Sequence, residues 1–229
     1  MMKYCTGICI TLLCILVLFS GCTSQSTPLA PVTTVVVTTP VPQATQVSFE
    51  TLPESLLTDM EREDIIYLQE AEKADHDLNL ALFNQHQSLP LFREIADKTK
   101  VAMTADNVIL VRYDIPNPEN QAAGQFTNQK LQRMYDTGVS SGSMSVANAL
   151  NSSAMYEDLH IADLLTAIGR TDNEDLKFIY NQELALSRNN LRKLSSTMTG
   201  YGSAFAPTYI TPAYYQEIIS SPEEAVQLK

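Results

Sequence analysis

The chain has 229 residues, with 26 acidic and 15 basic side chains and a net charge of −11, a length that suits one domain of roughly 100–200 residues plus appendages. Such acidity excludes a nucleic-acid binder, which needs Lys and Arg clustered on one face. There is no Trp and only 8 Gly, and the wealth of Ala, Leu, Gln, Asn and Glu favours helix over a β-sandwich.

Residues 1–22 read as an export signal. Lys3 is the only charge before Glu50. The apolar run Ile8 to Phe19 is about a dozen residues long, short of the roughly 20 that cross a bilayer, and fits the h-region of a signal peptide. It leads into Leu18-Phe19-Ser20-Gly21-Cys22, which has the form of a lipobox with Phe19 where Leu is usual. Cys22 is then the lipidated first residue of the mature chain; an uncleaved N-terminal anchor is the other reading. The four cysteines are Cys5, Cys9, Cys14 and Cys22. The mature domain therefore has no disulfide, no thiol nucleophile and no Cys-ligated metal.

Residues 23–48 read as a tether, with seven Thr, four Pro and no charge. Such a stretch buries too little apolar surface to offset chain entropy, and Pro with β-branched residues biases it to extended forms. Thr/Pro stalks of this kind are similar to those of archaeal surface proteins.

Residues 49–200 read as four long helices. Thr58-Asp59-Met60-Glu61 is a capping box, opening helix 1 as far as Gln85. Pro90 stands in the first turn of helix 2, which ends near Tyr113 before Pro116 and Pro118. A polar connection of about thirty residues follows, with one short helix over 128–136 ended by Gly138 and Gly142. Helix 3 spans 144–168 and stops at Gly169, with Ser143 as its cap. Thr171-Asp172-Asn173-Glu174 is a second capping box, and helix 4 runs to Met198 with Gly200 as C′. The tail, residues 201–229, packs Phe205, Tyr209, Tyr214 and Tyr215 on the bundle and ends in a frayed acidic segment. Two hairpins with short turns joined by one long crossover make an all-α, ferritin-like four-helix bundle, with the crossover between helices 2 and 3.

At 100° per residue each helix shows one apolar stripe. Glu70 falls inside that of helix 1 with Asp77 at its edge, and Asp106 shares the face of helix 2. Glu157 is central in helix 3 with His160 near its edge, and Glu183 and Asn190 lie on the stripe of helix 4. Unpaired interior carboxylates cost several kcal/mol each, so Glu70, Glu157 and Glu183 must be protonated, hydrated, hydrogen-bonded or bound to a cation. Glu70, Glu157, His160 and Glu183 are the candidate metal ligands, for at most one divalent ion of Fe, Mn or Zn.

These residues resemble the ferritin-like domain of unknown function 2202 family of exported archaeal and bacterial proteins. The resemblance lies in the run Glu70 to Asp77, Phe92-Arg93-Glu94-Ile95-Ala96 with Arg112-Tyr113, and Gly124 to Asn128 with Leu131 and Tyr135. It continues in Glu157 to Leu164, Thr171 to Asp175, Ser187 to Arg192, and Tyr201-Gly202 through Tyr209. The family pattern implies a Glu-x-x-His pair in helix 2 and a His in helix 4. This chain has Thr99, Ala102 and Asn190 at those positions, so the resemblance implies a degenerate metal site. The leading expectation is a non-enzymatic, cell-surface lipoprotein with a structural, ligand-binding or interaction role and no catalytic residue. The alternative is an iron- or peroxide-handling bundle with a rebuilt site. The implied partners are the membrane, reached through the lipid at the outer face, and either a second copy or another envelope protein.

Overall fold

The computed structural model describes residues 49–117 and 122–228. The expected export signal, Cys22 and the expected stalk lie outside them. A single 3₁₀ turn, Phe49–Thr51, precedes six α-helices: α1 Asp59–Gln85, α2 Leu91–Arg112, α3 Gln129–Gly142, α4 Val146–Arg170, α5 Glu174–Gly200 and α6 Pro212–Ser220. No strand occurs among the described residues. The four long helices α1, α2, α4 and α5 form the bundle, with α1 against α2 and α4, and α5 against α4 and α2. The crossover from α2 to α4 carries α3, which packs on α1 and α4.

Helix starts follow the local chemistry. Thr58 accepts from the Glu61 N–H while the Glu61 carboxylate accepts from the Thr58 N–H, closing the capping box. The second box does not form. Asn173 is the cap residue of α5, and the Thr171 hydroxyl is drawn away to donate to Glu61, whose Oε1 also accepts from Asn173 Nδ2 at 2.9 Å. Glu61 thereby fastens the start of α5 to the start of α1. Pro90 is the N-cap residue of α2, beside the first turn. The cap of α4 is Ser145, whose side chain accepts from the Asn148 N–H, while Ser143 closes α3.

Three glycines do not break helices where sequence rules place the breaks. α3 runs through Gly138 to Gly142, and both are buried. A Cβ at Gly138 would lie 2.9 Å from Leu78 Cδ1, and one at Gly142 would overlap the Leu82 side chain. Here glycine buys close helix approach, which offsets its intrinsic penalty of about 0.5–1 kcal/mol. α4 likewise passes Gly169 and ends at Thr171, whose backbone is extended. α5 includes Gly200, and its C-terminus is closed instead by Gly202 at φ 69°, with Gly202 and Ser203 donating to the Thr199 and Met198 carbonyls.

The tail folds more than its composition suggests. Thr211 caps α6, and Phe205 and Tyr215 are buried with their rings 5.7 Å apart. Tyr209 instead faces solvent, 43 % exposed. The loop before α6 is pinned by Asp158, fully buried in α4, which accepts from the N–H groups of Thr208, Tyr209 and Ile210 at 2.6–3.0 Å. The acidic end is not frayed: Glu224 pairs with Arg188 and Arg192.

At the other end, Arg112 donates to the carbonyls of Phe49 and Leu52 and lies 4.7 Å from the centre of the Phe49 ring. It also pairs at 3.5 Å with Asp175, fully buried at the start of α5.

Leu164 and Leu191 are both fully buried. Leu164→Ala and Leu191→Ala are each expected to lower unfolding free energy by about 2–5 kcal/mol, measured by urea titration followed by circular dichroism. Wild-type stability in both would reject the helix phases described.

Candidate metal site in the bundle interior

Each long helix turns a heptad seam inward: Ile65, Leu68, Glu72, Asp75, Asn79 and Leu82 on α1; Phe92, Ile95, Thr99, Ala102, Asp106 and Ile109 on α2. The seam of α4 is Leu150, Ser153, Glu157, His160, Leu164 and Ala167, and that of α5 is Leu176, Tyr180, Glu183, Ser187, Asn190 and Leu194. All are buried. The alternating 3 and 4 spacing is that of a packed seam. Every seam is apolar at its ends and polar or small in its middle, so the polar residues stack into one interior layer.

Glu72, His160 and Glu183 stand at the centre of that layer. Each offers one ligand atom, and the three atoms lie within 4.8 Å of one another. His160 Nε2 is 2.8 Å from Glu72 Oε1, and His160 Nδ1 has no hydrogen-bond partner. No amide, amine or hydroxyl donates to either oxygen of Glu183, whose hydrogen bond is with the neighbouring Asp106 carboxyl, and Glu157 Oε1, Asn190 Oδ1 and the Tyr180 hydroxyl are unpartnered. Asp75 is better satisfied: Thr99 Oγ1 donates to it at 2.8 Å and Asn79 Nδ2 at 2.8 Å, with Ser153 donating on to Asn79.

Charge states follow from this crowding. Burial, then repulsion from Asp106 and Glu72, holds the Glu183 carboxyl well above the usual carboxylate range. Burial and the charge of Asp75 do the same to Glu157, against opposing hydrogen bonds from Asn190 and Ser187. Asp75 is pushed up to about 7 by burial and Glu72. Burial pulls the His160 imidazole down, but Glu72, with Asp75 and Asp163 behind it, outweighs this and raises it overall.

The sequence-derived set is thus rearranged. His160 and Glu183 come together with Glu72, while Glu157 lies in the same buried layer with its hydrogen bonds turned to Asn190 and Ser187. Glu70 does not join them: its two oxygens accept from the backbone N–H groups of Thr127 and Asn128, so it anchors the start of α3. Asp77 serves the same crossover, accepting from Gly124 N–H at 2.9 Å and Lys73 Nζ at 2.6 Å. Glu72 and Asp75 are the residues that sequence reasoning missed. Residues Leu68 to Asp75 are all buried, because α2, α3 and α4 all cover α1. A single-stripe reading has no phase to find there. The heptad from Ile65 to Leu82 carried the signal. Thr99, Ala102 and Asn190 do face the layer, without a carboxylate or imidazole among them.

Four long helices, one long crossover and acidic side chains in the middle layer make an all-α bundle of a kind compatible with the ferritin-like class. Comparison gives its family. Residues 61–222 match the family described as "Uncharacterized protein domain (DUF2202)", and the chain belongs to it. It is similar to the uncharacterized protein MJ0754 of Methanocaldococcus jannaschii, 39 % identical over 174 residues that cover 76 % of this chain and 94 % of that protein. The crystal structure of hypothetical protein MJ0754 superposes with a TM-score of 0.73, covering 76 % of this chain and 99 % of that one.

Buried carboxylates that anchor backbone should respond to mutation oppositely to those that do not. Glu70→Gln is expected to cost about 1–3 kcal/mol, the penalty for spoiling buried donors. Glu183→Gln in metal-free protein should leave stability unchanged or raise it. Thermal unfolding after chelation decides this, and equal losses at the two positions would refute the distinction.

Proposed function

We propose that this chain is a cell-surface lipoprotein whose ferritin-like bundle holds one divalent cation, of Fe, Mn or Zn, between Glu72, His160 and Glu183, and that its role is ligand binding rather than catalysis. The observation that carries the reading is the convergence of three buried ligand atoms within 4.8 Å, with no amide, amine or hydroxyl donor reaching Glu183. Ligands held about 2.0–2.2 Å from one ion span at most twice that distance, so a small contraction closes the shell. Carboxylates plus one imidazole suit these borderline metals, and sulfur is absent.

A dinuclear centre does not fit. It requires about four carboxylates and two imidazoles facing inward; the layer has acids enough, Asp106 on α2 among them, but His160 is its one imidazole among the described residues, and Thr99, whose hydroxyl is given to Asp75, and the buried methyl of Ala102 stand where the resemblance places a Glu-x-x-His pair. Nor does a neighbouring lysine supply the missing positive charge: Lys73, buried on α1, turns to Asp77. A bound cation neutralises the repulsion among Glu72, Glu183, Glu157 and Asp75 and ties α1, α4 and α5 together.

The pH dependence has a defined sign. Asp75, Glu157 and Glu183 are raised in the fold. Between the ordinary carboxylate range and about 7, the value to which Asp75 is pushed, the native state therefore binds more protons than the unfolded state, and stability falls as pH rises. Below that window Glu61, Asp77, Glu94 and Glu224, all lowered, reverse the trend. Metal-free protein should melt at a higher temperature at pH 5.5 than at pH 8. Cation binding needs deprotonated ligands, so Mn²⁺ or Zn²⁺ should raise the melting temperature more at pH 8. A tenth of that effect should remain in Glu183→Gln or His160→Ala. Calorimetry with no cation-dependent shift, together with metal-free purified protein, would overturn the reading.

Surface attachment is supported by the apolar run and lipobox before Cys22. No described helix is long and apolar enough to cross a membrane. Two acyl chains hold a protein at a bilayer where one does so only marginally. Cys22→Ser is expected to release the protein into the medium or leave an unprocessed precursor, seen by fractionation. An unmodified Cys22 thiol on mature, membrane-bound protein would refute lipidation.

A further inference from the structure

The segment after α6 lies extended along the outer face of α5 and is held as a peptide ligand is held. Its burial alternates: Glu224, Val226 and Leu228 are half-buried, while Glu223, Ala225 and Gln227 are exposed. That period of two is the signature of an extended chain docked on one side. Glu224 is read at every polar group. Arg188 grips its carboxylate through Nε and Nη2, and Arg192 Nη2 adds a third contact at 2.8 Å. Asn189 donates to its carbonyl and accepts from its N–H, both at 2.9 Å. Three residues on, the Gln227 N–H donates to Gln182 Oε1 at 2.6 Å. The arginines are themselves positioned: Arg188 donates to the Tyr214 hydroxyl, and Arg192 to the Ile218 carbonyl and Ser221 Oγ.

The resident segment underfills this groove. Beside it a cleft of about 320 Å³ stays open, lined by Val101 and Leu186 of the bundle and by Val226 and Leu228 of the segment, with Lys98 at its edge. A side chain larger than valine at the first apolar position, that of Val226, would bury more surface there without moving the arginine clamp.

We propose that the outer face of α5 is a peptide-recognition groove for an extended acidic segment of a partner protein, of pattern Glu-x-Φ-x-Φ with Φ apolar, and that residues 221–228 are its resident plug. The bidentate guanidinium selects a carboxylate at the first position, which a lysine clamp would not orient. Gln182 and Asn189 read the extended backbone. The apolar cleft selects the size of the third residue. A partner segment with a bulkier Φ displaces the plug by competing for Arg188 and Arg192.

The test uses a fluorescent synthetic peptide with the sequence of residues 221–229, titrated by anisotropy against the full chain. Glu224→Ala weakens the internal competitor, so this variant should bind the peptide at least tenfold more tightly than wild type. A peptide carrying Leu in place of Val226 should bind about fourfold more tightly again, the effect of one more buried methylene. Replacing the peptide's own Glu224 by Ala should abolish binding, as should adding Arg188→Ala to the protein. The altered peptides leave the protein untouched, so a misfolded variant cannot imitate the result. Equal affinity for wild type and Glu224→Ala would overturn the proposal. Binding that survives loss of the peptide glutamate, or no gain from the larger side chain, would do the same and leave the segment as a fixed part of the fold.

Discussion

The structure depends on burying a polar layer in the middle of a four-helix seam. A seam of alternating 3 and 4 spacing normally stays apolar throughout. Here Glu72 and Asp75, Glu157 and His160, and Glu183 with Ser187 and Asn190 interrupt it, all within a tenth of full burial. Several kcal/mol per unmatched carboxylate must be recovered elsewhere. The recovery is visible in the apolar caps of the seam: Leu68, Leu82, Phe92, Ile109, Leu150, Leu164, Leu176 and Leu194 are essentially inaccessible to solvent. Small residues on α2, Thr99 and Ala102, occupy little of the layer's volume and let the acidic helices approach.

A second set of buried acids does opposite work. Glu61, Glu70, Asp158 and Asp175 each accept from backbone N–H groups or hydroxyls of distant segments. They fix the α4–α5 turn, the crossover, the tail loop and the end of α2. Burial alone does not separate the two sets. What separates them is where their partners lie: the fastening acids accept from the chain's turns and loops, whereas the acids of the middle layer interact chiefly with one another and with the buried side chains around them. The surplus of acidic side chains therefore combines structural fastening with one concentrated interior charge.

Helix positions and the crossover were legible because capping and periodicity are local. Thr58 with Glu61 marks α1 wherever the chain goes next. The misreadings share one cause, which is that tertiary partners overrode local rules. Gly138 looks like a breaker until Leu78 is placed against it. Thr171 looks like a cap until Glu61 takes its hydroxyl. Glu70 and Glu72 point some 200° apart on one helix, and a helix covered on three sides gives no polar face by which to choose between them. α6 was hidden because Tyr and Pro composition describes loops and short capped helices equally well.

The Arg112 junction bears on how the bundle would carry load. Any pull on the chain ahead of Phe49 arrives at Arg112, which grips the Phe49 and Leu52 carbonyls from the end of α2 and is braced by Asp175 at the start of α5. Those two helices belong to different hairpins. Tension is therefore shared between the hairpins instead of peeling α1 from its neighbours one turn at a time. Pulling the folded residues apart from this end would require sliding whole helices past one another, the stiff direction for an interdigitated interface, so the bundle should resist force applied at Phe49 far better than its thermal stability alone would indicate.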